Sequence, residues 1–195
     1  LRAPENWRAW LRAHRVELLA IASITLVAAG LRLYRLGLQP KVIDGDAGLM
    51  GLVALSTPEL PLANPFALWE NFGTLYMQAL KVCIDLFGPT ALALRLLPAI
   101  SGILSVPALF LLGRRLFGPR VGLFAAGLLA LSHLHLHFSR VAPVGYIHAT
   151  FLVPIELYFF MSGLEDRSAW RLALGGLVLG LHFTIYLTVQ VIVAL

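Results

Sequence analysis

Apolar runs of spanning length, separated by short polar segments, recur along the chain and set its architecture. A bilayer core about 30 Å thick needs roughly 17 to 25 mostly apolar residues when a helix rises about 1.5 Å per residue. Five stretches meet that need: Val16 to Leu33, Leu96 to Gly113, Val121 to Phe138, Val141 to Leu164, and Leu172 to Leu195. Leu75 to Phe87 is also apolar, but it is too short to cross and carries Lys81 and Asp85, so the interface is its expected place.

Composition turns this pattern into a class. Of 195 residues, 59% are hydrophobic and 13% charged, with a mean hydropathy of +0.83, against roughly 25% charged in globular domains. The expectation is an all-α integral membrane protein with about five transmembrane helices. Cys83, the single cysteine, has no disulfide partner in the chain and no metal-ligand spacing around it, so it is expected to pack. The sequence starts at Leu1 and ends inside an apolar run, which suggests a piece of a longer chain. The first apolar segment has no small-residue cleavage site near Arg32 to Arg35 and reads as a retained anchor.

Basic residues at span ends set the orientation, because Lys and Arg stay on the cytoplasmic side. Arg2, Arg8, Arg12 and Arg15 put the N-terminus inside, and Arg114, Arg115 and Arg120 mark the next inner turn. Parity then holds only if Leu75 to Phe87 does not cross. Residues 34–97 become a long first external loop with interfacial helices, and His137 to Arg140 fall on the same outer face. Glu165, Asp166, Arg167 and Arg171 return inside, and the last span carries Tyr186 outward. Trp7, Trp10 and Trp170, beside arginines, fit an interfacial belt.

The external loop holds five of the chain's ten carboxylates, and Asp44-Gly45-Asp46 lies just past the first span. Carboxylates at the edge of the low-dielectric region suit acid/base work on a substrate that arrives from lipid; solvated turn residues are the alternative. Glu156 sits near the middle of the fourth span, where a carboxylate costs on the order of 2.5 to 3.5 kcal/mol unless it is paired or protonated. It marks either a functional site or a structural hydrogen bond to a neighbouring span, and Pro154 nearby is positioned to kink the helix. His133, His135 and His137 invite a metal reading, but helical geometry puts only His133 and His137 on one face, so no metal site is expected. A net charge of +5 comes from arginines at span ends rather than a basic stripe, which points to anionic lipids and not to nucleic acid. No phosphate-binding glycine loop is present to hold a nucleotide.

The order of several short pieces resembles the multi-spanning glycosyltransferases of GT-C type that use polyprenyl-phosphate sugars, which include protein O-mannosyltransferases and the lipid A aminoarabinose transferase. The pieces are Leu31-Arg32-Leu33-Tyr34-Arg35-Leu36-Gly37, Asp44-Gly45-Asp46-Ala47, Leu75-Tyr76-Met77-Gln78 through Gly88-Pro89-Thr90 and Ala93-Leu94-Arg95-Leu96, Arg114-Arg115-Leu116-Phe117-Gly118, His137-Phe138-Ser139-Arg140, and Gly180-Leu181 with Thr184-Ile185-Tyr186. The resemblance implies that residues 1–195 form a single transmembrane domain, the N-terminal part of a larger membrane domain. Where the family shows adjacent Asp-Glu, this chain has Asp44-Gly45-Asp46-Ala47, so either aspartate can take the catalytic place, and the spacing to Gly51 favours Asp46.

The resemblance implies transfer of a sugar from a polyprenyl phosphate to a hydroxyl on lipid, glycan or protein, at the outer face of the cytoplasmic (inner) membrane. Asp46 or Asp44 would take the acceptor's proton. Arg140 and Arg95, at external span ends, would hold the donor phosphate through their planar forks; as interfacial anchors they would instead snorkel to headgroups. Tyr76, Trp69, His137, Tyr146, Glu156 and Tyr186 are candidate lining residues, with Trp69 alternatively dipping into the interface. No cofactor is expected beyond the lipid-linked sugar, which is a substrate. The competing expectation is a shortened, non-catalytic membrane subunit of this lineage, packed into a larger membrane complex.

Overall fold

A computed structural model describes residues 7–43, 45–56, 68–69, 72–141 and 146–186. The described residues are helical apart from one short antiparallel pair. In order they form α1 (Trp7–Ala13), α2 (Arg15–Leu33), α3 (Gly45–Leu55), β1 (Leu68–Trp69), β2 (Phe72–Gly73), α4 (Thr74–Phe87), α5 (Ala91–Phe117), α6 (Pro119–Leu131), α7 (His133–Val141), α8 (Tyr146–Glu165) and α9 (Ala169–Phe183). The all-α membrane class expected from hydropathy is what the chain adopts.

Of the five expected spans, α2, α5 and α8 are long and apolar enough to cross a bilayer, and α6 with α7 makes a fourth that is bent by 56°. The fifth, α9, has 15 described residues, short of a span, and residues 187–195 lie outside the described part. α5 runs from Ala91 rather than Leu96 because the Thr90 hydroxyl caps its first turn by accepting from Ala93 N at 3.3 Å. At 27 residues it is about 40 Å long, and it forms the central post against which α2, α4, α6, α7 and α8 pack. Between α5 and α6 only Gly118 intervenes, at φ 88°. The two helices meet at glycines: a Cβ on Gly122 would lie 2.7 Å from Arg114 N and 2.9 Å from Phe110 O.

The ion pairs fix which helix ends lie together. Arg114 pairs with Glu17 at 2.9 Å, Arg115 with Glu165 at 2.5 Å and Asp166 at 3.6 Å, and Arg171 with Asp166. The N-terminal end of α2 therefore shares one end of the bundle with the C-terminal ends of α5 and α8. The segment 34–43, α3, α4 and α7 lie toward the opposite end, as the parity argument requires.

The bend between α6 and α7 has its own support. Ser132 interrupts the helix, and Arg32 of α2, fully buried, reaches across to the Ala130 carbonyl at 3.2 Å and to that of Leu129 at 3.5 Å, which also accepts from Ser132 N. The same guanidinium donates to Ala28 O at 3.2 Å and Ser139 Oγ at 3.3 Å, and it lies 2.8 Å from His135 Nδ1. Gly102 of α5 makes room for it, since a Cβ there would collide with the Ser139 hydroxyl. The arrangement completes the hydrogen bonding of a broken helix at membrane depth, where water is not at hand to do it.

Candidate functional site

Asp46 sits in the first turn of α3 and is exposed. The sequence reading saw a turn here, whereas a helix begins at Gly45 because Ala47, Met50, Gly51 and Ala54 repeat at helical spacing and bury one face. That face joins a cluster with Tyr76, Met77, Leu80, Cys83, Ile84 and Ala93 of α4 and α5. Gly51 is pressed close to Leu94: a Cβ there would come within 2.9 Å of its Cδ2. Asp46 is thus carried on a docked helix, at the positive end of its dipole. Ile43 and Ala47, on either side, line a small crevice with Leu94, Arg95 and Val141. Asp44 lies outside the described residues.

Arg95 and Arg140 both lie near Asp46 in the chain's path, and both are engaged with backbone. Arg95, 5% exposed, donates to Leu36 O at 3.0 Å, Pro40 O at 2.9 Å and Val42 O at 3.0 Å. Arg140, less deeply buried, donates to Leu31 O at 2.8 Å, Arg32 O at 2.9 Å, Tyr34 O at 2.8 Å and Gln39 O at 3.1 Å. Two helices, α5 and α7, therefore grip the exit of α2 and the segment that leads to Asp46.

Glu156 of α8 and His182 of α9 are both fully buried, with Glu156 Oε1 2.8 Å from His182 Nδ1. The carboxylate thus has a neighbouring helix as partner. Among the described residues its other oxygen, Oε2, has none, nor do His182 Nε2, His148 Nδ1 and the Tyr76 hydroxyl. A buried polar atom without a partner costs about 1–3 kcal/mol, so four in one region mark it as costly for packing alone. Tyr76 meets His148 edge-on with centroids 5.0 Å apart, and the two imidazoles of His148 and His182 are near enough to interact electrostatically. Burial pushes the Tyr76 phenol up, which keeps it a neutral donor.

Tyr76 and His148 line a cavity with Leu75, Ala79, Leu97, Ile100, Ser101 and Ile185. The N-terminus of α4 is held to the end of α9: Gly73 N donates to Ile185 O at 2.9 Å, and a Cβ at Gly73 would overlap the Thr184 carbonyl. Tyr186 packs beside this cluster. His133 and His137 do share an exposed face, their rings stacked 6.4 Å apart, while His135 turns inward to Arg32 and Thr150. Among the described residues no three His, Cys, Asp or Glu side chains gather as metal ligands. The side chains of Trp69 and Tyr146, both candidate lining residues, lie outside the described part, as do those of Trp7 and Trp10 of the expected belt.

The sequence reading passed over Arg32, His148 and His182. A stripe test would have found two of them. Ile21, Ala28 and Arg32 form the buried line of α2, and Arg171, Gly175 and His182 that of α9. A polar residue on the packed stripe of a spanning helix is the signal.

The family model described as dolichyl-phosphate-mannose-protein mannosyltransferase matches residues 72–195. That stretch holds Tyr76, Arg95, Arg140, His148, Glu156 and His182 and begins after Asp46. No curated protein and no solved structure matches the chain significantly.

Proposed function

The chain belongs to the dolichyl-phosphate-mannose-protein mannosyltransferase family, and from that membership we propose that it moves a sugar from a polyprenyl-phosphate donor to a hydroxyl acceptor, with Asp46 as base. The acceptor oxygen attacks the anomeric carbon as its proton passes to the Asp46 carboxylate. The bond from that carbon to the phosphate oxygen breaks, and the polyprenyl phosphate leaves with the electron pair. Asp44 is the alternative base. The observation that carries this reading is position: Asp46 projects from a docked helix at the bundle end opposite the Arg114, Arg115, Glu165 and Asp166 cluster. That cluster, with the basic N-terminal segment, belongs on the cytoplasmic side by the distribution of positive charge, so the active face would be the external one.

Of the two arginines, Arg140 is the better donor-phosphate contact, because its fork is the less buried and can exchange a carbonyl for a phosphate oxygen. Arg95 serves as a positioning residue for the segment that leads to Asp46.

The test is transfer from labelled dolichyl phosphate mannose in membranes that contain the full-length protein. Asp46→Asn is expected to lower transfer by about 10²- to 10⁴-fold, the usual weight of a general base, with Asp44→Asn weaker in effect. Full activity in both single variants and the double variant would remove the assignment. The engagement of both arginines by backbone favours a second reading, a non-catalytic membrane subunit that packs through its apolar helix faces. A wild-type protein that binds partner subunits but transfers no sugar would establish it.

A further inference from the structure

Four of the five buried side-chain polar atoms without a partner, among the described residues, belong to Tyr76, His148, Glu156 and His182; the fifth, Arg115 Nε, is at the other end of the bundle. These four residues come from α4 and α8, which pack on α5, and from α9, which packs on α8; they are joined by the edge-on Tyr76–His148 contact, the interaction of the two imidazoles and the Glu156–His182 hydrogen bond. Tyr76 and His148 also form part of the wall of a cavity of about 190 Å³, otherwise lined by Leu75, Ala79, Leu97, Ile100, Ser101 and Ile185.

The chemistry of the wall selects its ligand. Among the described residues no arginine or lysine lines it, and the polar wall is backed by the Glu156 carboxylate, which disfavours a phosphate. Among the described residues, His148, Glu156 and His182 do not converge as a set of three metal ligands, which gives no support to a cation as the ligand. What remains is a mixture of apolar surface with hydroxyl and imidazole groups that both donate and accept. A sugar ring, with an apolar face and several uncharged hydroxyls, fits that mixture.

We propose that this cavity is a sugar subsite, in which Tyr76 and His148 hydrogen-bond the hydroxyls of a neutral ring and the Glu156–His182 pair behind them fixes the polar wall. Its assignment to the donor's sugar rests on the transferase reading. The Tyr76 hydroxyl and His148 Nδ1 are buried behind the cavity surface, so a ring meets them after a rotamer-scale parting of the edge-on pair, the usual scale of side-chain change on binding.

The experiment is direct binding of two probes, dolichyl phosphate mannose and dolichyl phosphate, to the full-length protein in nanodiscs. The wild type is expected to prefer the mannosylated lipid by about tenfold or more, the worth of one or two good hydrogen bonds. Tyr76→Phe keeps the ring and its packing, so it should fold; it is expected to bring the ratio close to one while leaving the affinity for dolichyl phosphate unchanged. His148→Gln should act in the same direction. An unchanged preference in both variants overturns the subsite. Equal wild-type affinity for the two probes also overturns it but leaves the lipid-phosphate part of the transferase reading standing, whereas binding of neither probe removes both.

Discussion

Arg32 is a cation with 0% exposure and, among the described residues, no carboxylate partner. Replacing it by methionine, Arg32→Met, keeps the length of the side chain and removes every donor. Not all its partners suffer equally. The Ala28 carbonyl lies inside a helix, Leu129 O still accepts from Ser132 N at 3.3 Å, and the Ser139 hydroxyl still donates to His135 O. Ala130 O and His135 Nδ1 are left without the donor that reached them. Two orphaned acceptors at about 1–3 kcal/mol each make about 2–6 kcal/mol, and relief of a buried guanidinium's desolvation takes back part of it. A net loss of about 2–4 kcal/mol, or roughly 5–15 °C in unfolding temperature for a domain of this size, is expected. Thermal unfolding of the detergent-solubilised protein, followed by tryptophan fluorescence, measures it. Arg32→Lys should recover part of the loss, because one ammonium can still reach one or two of the acceptors. An Arg32→Met protein as heat-stable as the wild type would refute the claim that this guanidinium holds the α6–α7 bend.

Arg140→Ala should raise the donor concentration needed for half-maximal transfer more than Arg140→Lys, since lysine keeps the charge that a phosphate requires but loses the fork that spans Leu31, Arg32, Tyr34 and Gln39. Identical donor requirements in the two variants would make Arg140 a clamp on α2 alone. At the opposite end, the hydrogen bond from Arg171, with Arg115 adding its charge, holds the Asp166 carboxyl below its ordinary value of 3.8. Its stabilising contribution is complete above that value and fades as pH falls through the lowered one. The wild type should therefore unfold at a higher temperature than Asp166→Asn at neutral pH, and the gap should close in acid; a gap independent of pH would contradict the pairing.

How far the chain could be read in advance depended on the kind of signal. Spans were legible because hydropathy over 18 or more residues reports directly on α2, α5 and α8. The parity of the helix ends followed from the same arginines that form the Glu17, Glu165 and Asp166 pairs. The bend at Ser132 was not legible, because it depends on Arg32, about a hundred residues away in sequence, to satisfy the carbonyls it exposes. α3 was missed for a different reason: 11 residues with two glycines in the first turn look like a turn until Met50 and Ala54 find the cluster of α4. Glu156 was picked out by its cost at mid-span, but its partner His182 was invisible without knowing which face of α9 is packed. The role of Arg95 and Arg140 was the hardest to foresee, since a fork suited to phosphate oxygens is equally suited to converging carbonyls.

That equivalence has a mechanical consequence. Arg32 supports the bend that sets the direction of α7, and α7 carries Arg140. Arg140 returns to α2, where it takes the carbonyl of Arg32 itself along with those of Leu31, Tyr34 and Gln39. Arg95, from α5, takes over at Leu36, Pro40 and Val42, two to four residues short of Asp44 and Asp46. The path from α2 to the acidic pair is thus held at seven carbonyls by two guanidiniums whose own placement depends on a third. Loss of any of the three lets that path move, and a displacement of about 1 Å in a catalytic base costs on the order of 10² in rate. A fall in transfer after mutating Arg95 is therefore no sign of phosphate contact by itself. It becomes one only if the donor requirement changes while the heat stability does not, and by the geometry of its buried fork Arg95 should show the reverse.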